Sequence, residues 1–134
     1  MSETSRFLSV GIDRDVQAVY EYASDPRHLP EWAPGLGSSI TAAGDSWMVQ
    51  TPDGPVMVRF APPNEFGVLD HWVTQPDGHT VVYIPLRVTA GGDSSSEVVF
   101  TVRKLPGMTD TEFGRDCAAV QADLDRLKAI LERD

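Results

Sequence analysis

The chain has little of what several common functions require. Only one of its 134 residues is cysteine, Cys117, so no internal disulfide can form. Basic residues are scarce: Lys and Arg total 11 against 20 Asp and Glu, a formal charge of −9. So negative a surface repels phosphate backbones and anionic lipid headgroups, and no basic patch offsets it. Nucleic-acid binding and membrane insertion are therefore not expected. No window approaches the ~18 apolar residues of a membrane span. MSETSRFLSVGID lacks the basic leader and long apolar run of a signal peptide, and a cytoplasmic protein is the expectation. His28, His71 and His79 show no ligand-like spacing, so neither a zinc site nor another metal is expected. There is no G-x-S-x-G nucleophile motif, and the glycines sit in turns rather than in a phosphate cradle; no cofactor is expected.

What is present reads as one α+β domain spanning 1–134. Residues 4–12 read as a strand, with Phe7 and Ser9 on one face and Leu8 and Val10 on the other. Asp13 suits a helix N-cap, and Val16, Val19, Tyr20 and Ala23 then fall at helical spacing over 14–24. DPRHLPEWAPG (Asp25 to Gly35) restarts the chain with a capping residue and a proline, giving a short second helix over 26–32. Pro30 and Pro34 prevent its continuation. Strands joined by Asp-Gly, Gly-Asp and proline turns fill the region between 38 and 104, about six of them in a meander. Thr109 and Glu112 form a capping box, after which Phe113, Cys117, Val120, Leu124, Leu127 and Leu131 make one apolar stripe on a helix over 109–133. The economical packing is a curved antiparallel sheet of about seven strands gripping that helix, with the two short helices closing one end.

Strand phase sorts the side chains. Val56, Val58 and Phe60 share one face of their strand, with Met57 and Arg59 opposite. In TVVYIPLRV, Val82, Ile84, Leu86 and Val88 face inward and Tyr83 and Arg87 outward. Val98, Phe100 and Val102 face inward in EVVFTVRKL, with Glu97, Thr101 and Arg103 outward. VLDHWVT has two readings. The favoured phase turns Leu69, His71 and Val73 inward, because burying Asp70 without a partner would cost several kcal/mol; the reverse phase makes Asp70 the inward polar group.

The order of elements and several motifs resemble the START-like, or SRPBCC, superfamily, and within it the small bacterial polyketide cyclase/dehydrase-like proteins. The resemblance rests on I-D-x-x-V-x-x-V-Y-x-Y at Ile12 to Tyr22, D-P-R-H-L-P-E-W at Asp25 to Trp32, G-V-L-D-H at Gly67 to His71, and P-G-M-T-D-x-E-F at Pro106 to Phe113. It covers residues 4 to 132 and implies the helix-grip fold, with an apolar cavity between sheet and long helix. Members hold lipids, sterols, polyketides, hormones or aromatic compounds, and only some are catalysts. No shared catalytic pattern carries over.

The candidate pocket residues are Val58, Phe60, His71, Val73, Ile84, Leu86 and Phe100 from the strands, with Trp32 from the short helix. Met108, Phe113, Cys117 and Val120 complete it from the long-helix side. Trp32 is either a cavity wall or a core plug. His71 either orients a ligand oxygen and moves a proton, with Asp70 as the alternative, or is a hydrogen-bonded core histidine. His28 guards the mouth or is solvated; His79 sits in a turn. Two functions are expected: binding of a hydrophobic small molecule, extending to a cyclase or dehydratase activity, or a regulatory protein-interaction module using the outer face and Trp72. An exposed Trp47 or Trp72 would suit a homodimer contact.

Overall fold

The computed structural model describes residues 4–34 and 39–133. Ser38, the expected start of the strand region, and Gly35, the end of DPRHLPEWAPG, lie outside the described residues. β1 (Ser5–Ile12) is followed by α1 (Val16–Ala23), a 3-10 turn at Pro26–His28 and α2 (Leu29–Trp32). Seven strands come next: β2 (Ile40–Ala43), β3 (Ser46–Thr51), β4 (Gly54–Phe60), β5 (His71–Thr74), β6 (Val81–Ile84), β7 (Leu86–Gly92) and β8 (Ser95–Arg103). The long helix α3 (Asp110–Leu131) closes the order.

Local chemistry sets these boundaries. A cap must reach the N–H groups two or three residues ahead, and the first turn of α1 begins only at Val16. Asp15 is therefore the cap, accepting from Ala18 N at 2.9 Å, and not Asp13 as the sequence suggested. The Asp13 backbone N–H is bound instead by Glu132 Oε2 at 2.8 Å. Asp25 caps the 3-10 turn as expected, accepting from Arg27 N at 3.0 Å. At α3 the capping box is complete: Glu112 N donates to Thr109 Oγ1 at 3.1 Å and Thr109 N to Glu112 Oε1 at 2.9 Å.

The strands form two antiparallel ladders, β2-β3-β4-β5-β6 and β1-β8-β7. TVVYIPLRV, read as a single strand, is broken at Pro85, which raises the count from about seven strands to eight. Proline has no N–H for a ladder, so the chain changes partners there. β6 pairs with β5, β7 pairs with β8, and Thr101 N donates to the Pro85 carbonyl at 3.0 Å. VLDHWVT divides in step with it, its two halves pairing on either side of that break. Its second half is β5, while its first half lies along β7, with Val88 N donating to Gly67 O at 2.9 Å and Leu69 N to Leu86 O at 2.8 Å. This short seam joins the two ladders. Only glycine fits there: Gly67 has φ +71°, and a Cβ would lie 2.2 Å from the Val88 carbonyl oxygen.

The loop before the seam is held by Asn64, whose Nδ2 donates to the Pro62 and Val68 carbonyls at 3.0 and 2.9 Å. α3 packs across β1 and β8, and Leu124 and Leu127 are fully buried between them. Each such leucine contributes about 1.5–3 kcal/mol. Inward strand residues fall where their phase put them; of those read as outward, Asp70 is buried, and so is Thr101. It is a small side chain on the central strand of its ladder, opposite Phe7 on β1.

Candidate functional site: a cavity between sheet and helix

A cavity of about 430 Å³ lies between the concave sheet face and α3. Its walls are mostly aliphatic and aromatic. β4 contributes Val56, Val58 and Phe60, β5 contributes His71 and Val73, β6 contributes Val82 and Ile84, and Leu86 and Phe100 follow on β7 and β8. These positions alternate along each strand, so one face of the sheet supplies all of them. Trp32 of α2 lines it as well, and Met108 borders the cavity from the loop before α3. The tips of the β3–β4 and β5–β6 connections meet at the rim. Gly54 there has φ +120°, and a Cβ would lie 3.3 Å from Pro76 Cβ.

Three comparisons with known proteins bear on this arrangement. No protein-family model matches the chain, and no curated protein matches it. Solved structures do. XoxI from Bacillus cereus aligns at 15% identity and TM-score 0.76 over 96% of each chain. A START superfamily protein from Mycobacterium smegmatis aligns at 14% identity and TM-score 0.72, covering 97% of this chain and 98% of that one. DynU16, a protein of the dynemicin biosynthetic locus, aligns at 20% identity and TM-score 0.72, and 98% of this chain covers 48% of it. The chain has the START-like helix-grip fold. At these identities the likeness concerns architecture alone.

Within this cavity, His71 is a buried polar group of the sheet wall. It is 5% exposed and lies between two lining aromatics, 5.4 Å from the Phe60 ring centre and 6.0 Å from that of Phe100. Its Nδ1 is 3.1 Å from the Leu69 carbonyl oxygen. A carbonyl only accepts, so the ring carries its proton on Nδ1 and keeps a lone pair on Nε2. No described residue pairs with that Nε2. Burial pushes the His71 pKa down from 6.5, against the Leu69 carbonyl and the neighbouring Asp70, which pull it up. The imidazole is a neutral acceptor facing an apolar cavity.

Asp70 goes the other way. It is also 5% exposed, but it lies outside the cavity and every partner it needs is supplied. Arg87 grips it with Nε at 3.1 Å and Nη2 at 2.8 Å, Leu86 N donates at 3.0 Å, and the Tyr83 hydroxyl donates as well. Burial alone would raise its pKa, yet Arg87, Tyr83 and the Leu86 N–H hold it at about 2. The sequence argument against burying Asp70 assumed no partner; the next two strands bring three. As a candidate proton carrier in the pocket it is ruled out by position.

Trp32 resolves into both of its readings. It lines the cavity, is 2% exposed and belongs to the main hydrophobic core. Its carbonyl accepts from Arg126 Nη1 at 3.2 Å, which ties α2 to α3. Phe113 and Cys117, expected at the pocket, do not line it; they face the core on the other flank of the α3 stripe. Val120 lies where the two flanks meet and does line it. His28 stands away from the mouth, stacked on Tyr22 at 4.2 Å with Nδ1 2.8 Å from the Tyr22 carbonyl. His79 is exposed.

Sequence reasoning passed over Asp116 and Asp123. The apolar stripe of α3 does not include them, yet both line the cavity. The available signal was their spacing, since Asp116, Ala119, Val120 and Asp123 share one flank of a helix.

Proposed function

We propose that the protein binds an apolar small molecule in the cavity between its sheet and α3. The observation that carries this reading is the unpaired Nε2 of His71. A core that existed only for stability would pair both ring nitrogens of a side chain that is 5% exposed, or omit it. Here the atom faces about 430 Å³ of apolar-walled space, within the usual size range of small-molecule sites. A ligand with an O–H or N–H would supply the missing partner.

A cyclase or dehydratase type of reaction extends the same reading. A neutral imidazole with a free Nε2 is suited to take a proton from a bound, folded substrate, the cavity supplying proximity. Titration with the neutral dye N-phenylnaphthylamine tests binding. Saturable fluorescence enhancement that His71→Phe weakens is expected; no saturable enhancement in the native protein would sink the reading.

A second reading rests on the outer sheet face. Arg59 lies 4.8 Å over the Trp72 ring, Trp72 stacks on Tyr83 at 5.3 Å, and Met48, Val81 and Tyr83 are exposed beside them. Such a surface suits a protein contact, including a homodimer, and sedimentation analysis of the native chain against Trp72→Glu distinguishes that role from ligand binding.

A further inference from the structure

The cavity has a second polar wall, set by α3. Asp123 is 5% exposed and lines the space. Its Oδ1 accepts from Arg126 Nη1 at 2.9 Å, and the same nitrogen donates to the Trp32 carbonyl. Its Oδ2 has no hydrogen-bond partner among the described residues. Burial raises the Asp123 pKa, and Arg126 pulls against that rise. Asp116, two turns earlier on the same flank, is raised too, by burial and then by Glu112. A carboxylate this enclosed would ordinarily have all its lone pairs filled. Only one side of Asp123 is.

His71 on β5 and Asp123 on α3 thus line one cavity from its two walls, and the unpartnered Nε2 of one and Oδ2 of the other are both acceptors. Neither can pair with another acceptor, and both pair with an O–H or N–H. Among the described lining residues the one basic side chain is Arg103, which is exposed, while Asp53, Asp116 and Asp123 are acidic. An anionic ligand would meet like charge; the one buried side-chain donor left without a partner among the described residues is the Trp32 indole N–H. A ligand with a donor at each pole would complete both walls.

We propose that the cavity selects apolar molecules carrying a hydrogen-bond donor at each of two poles, one given to His71 Nε2 and one to Asp123 Oδ2, and that it rejects carboxylates of the same shape. This rests on the ligand-binding reading above. The ligand class is a neutral di-hydroxylated aromatic or alicyclic compound, or its amino counterpart.

A biphenyl series displaced against N-phenylnaphthylamine tests it: the para,para′-diphenol, its dimethyl ether and the para,para′-dicarboxylate. Leaving a buried polar group unpaired is what makes a site reject the analogue that lacks a donor. The diphenol should therefore displace the dye at least about tenfold more tightly than either analogue. Asp123→Asn supplies the decisive arm. Its amide oxygen can keep the Arg126 bond while its NH₂ replaces Oδ2, turning an acceptor into a donor. The preference should then shrink by about tenfold or invert toward the ether and the dicarboxylate. A merely structural role for Asp123 would weaken all three compounds alike. Equal affinities across the series, or an unchanged ratio in Asp123→Asn with the dye still bound, would overturn the proposal. Absence of dye binding by the native protein would instead overturn the binding reading on which it stands.

Discussion

Asp70 and His71 are neighbours in the chain, equally buried, and on opposite faces of one sheet. The contrast between them separates the two jobs of the molecule. On the convex side Asp70 is met by Arg87, Tyr83 and the Leu86 N–H, so its charge is fully compensated. On the concave side His71 has one nitrogen occupied and one without a partner among the described residues. Burial alone is therefore a poor guide to function; unfilled valence beside a cavity is the better one.

Removing Asp70 should have the largest effect. Asp70→Ala leaves Arg87 without its partner and the Leu86 N–H unbonded, and should lower unfolding stability by about 2–4 kcal/mol, discounted for the half-exposed guanidinium. Dye affinity should change less than threefold. Chemical denaturation and dye titration on the same samples would check both, and a loss of binding larger than the loss of stability would blur the contrast.

A smaller effect is expected from pH, read through His71. Its folded pKa lies below 6.5, so the unfolded chain holds the proton more tightly than the folded one. Stability is then full above about pH 6.5 and declines as pH falls toward the folded value, by at most about 1.4 kcal/mol per pH unit. Asp70 acts in a different window: held near 2, it stabilises the fold above the ordinary 3.8 and loses that contribution only as pH falls toward 2. Denaturation midpoints at pH 7.5 and 5.5 should converge in His71→Gln. Equal pH slopes in the variant and the native protein would remove His71 as the cause.

Smallest of all should be Trp72→Ala on the convex face. It removes a stack with Tyr83 and a cation–π contact with Arg59, both partly exposed, for about 1 kcal/mol of stability. It should leave ligand binding untouched. Altered dye affinity would mean that the two faces are coupled through the sheet.

Much of this was readable beforehand, for identifiable reasons. The inward rows of β4, β6 and β8 follow from a period of two, and the start of α3 from Thr109 and Glu112. What stayed hidden depends on residues distant in sequence. Pro85 marks a break, but that the chain changes partners there is decided by β8. Asp70 looked too costly to bury because its partners lie on the strands after it. Asp123 drew no notice because helical charge is usually outward, and the cavity, which is a property of the assembled sheet, is what gave it another place. Phe113 and Cys117 erred oppositely: their stripe was read as one surface, whereas Val120 divides it between core and cavity.

The pairing of β1 with β8 has a consequence in time. Ser5 lies opposite Arg103, and α3 rests on both strands, so almost all of the chain must exist before the first strand can be placed. Contacts this distant in sequence form slowly, after hairpins such as β3–β4 that need only a tight turn. The half of the sheet bearing Val58 and Phe60 can therefore assemble early, while the wall bearing Asp123 arrives last. Until it does, the apolar concave face stands open to whatever is nearby, and the cavity is the final thing this protein makes.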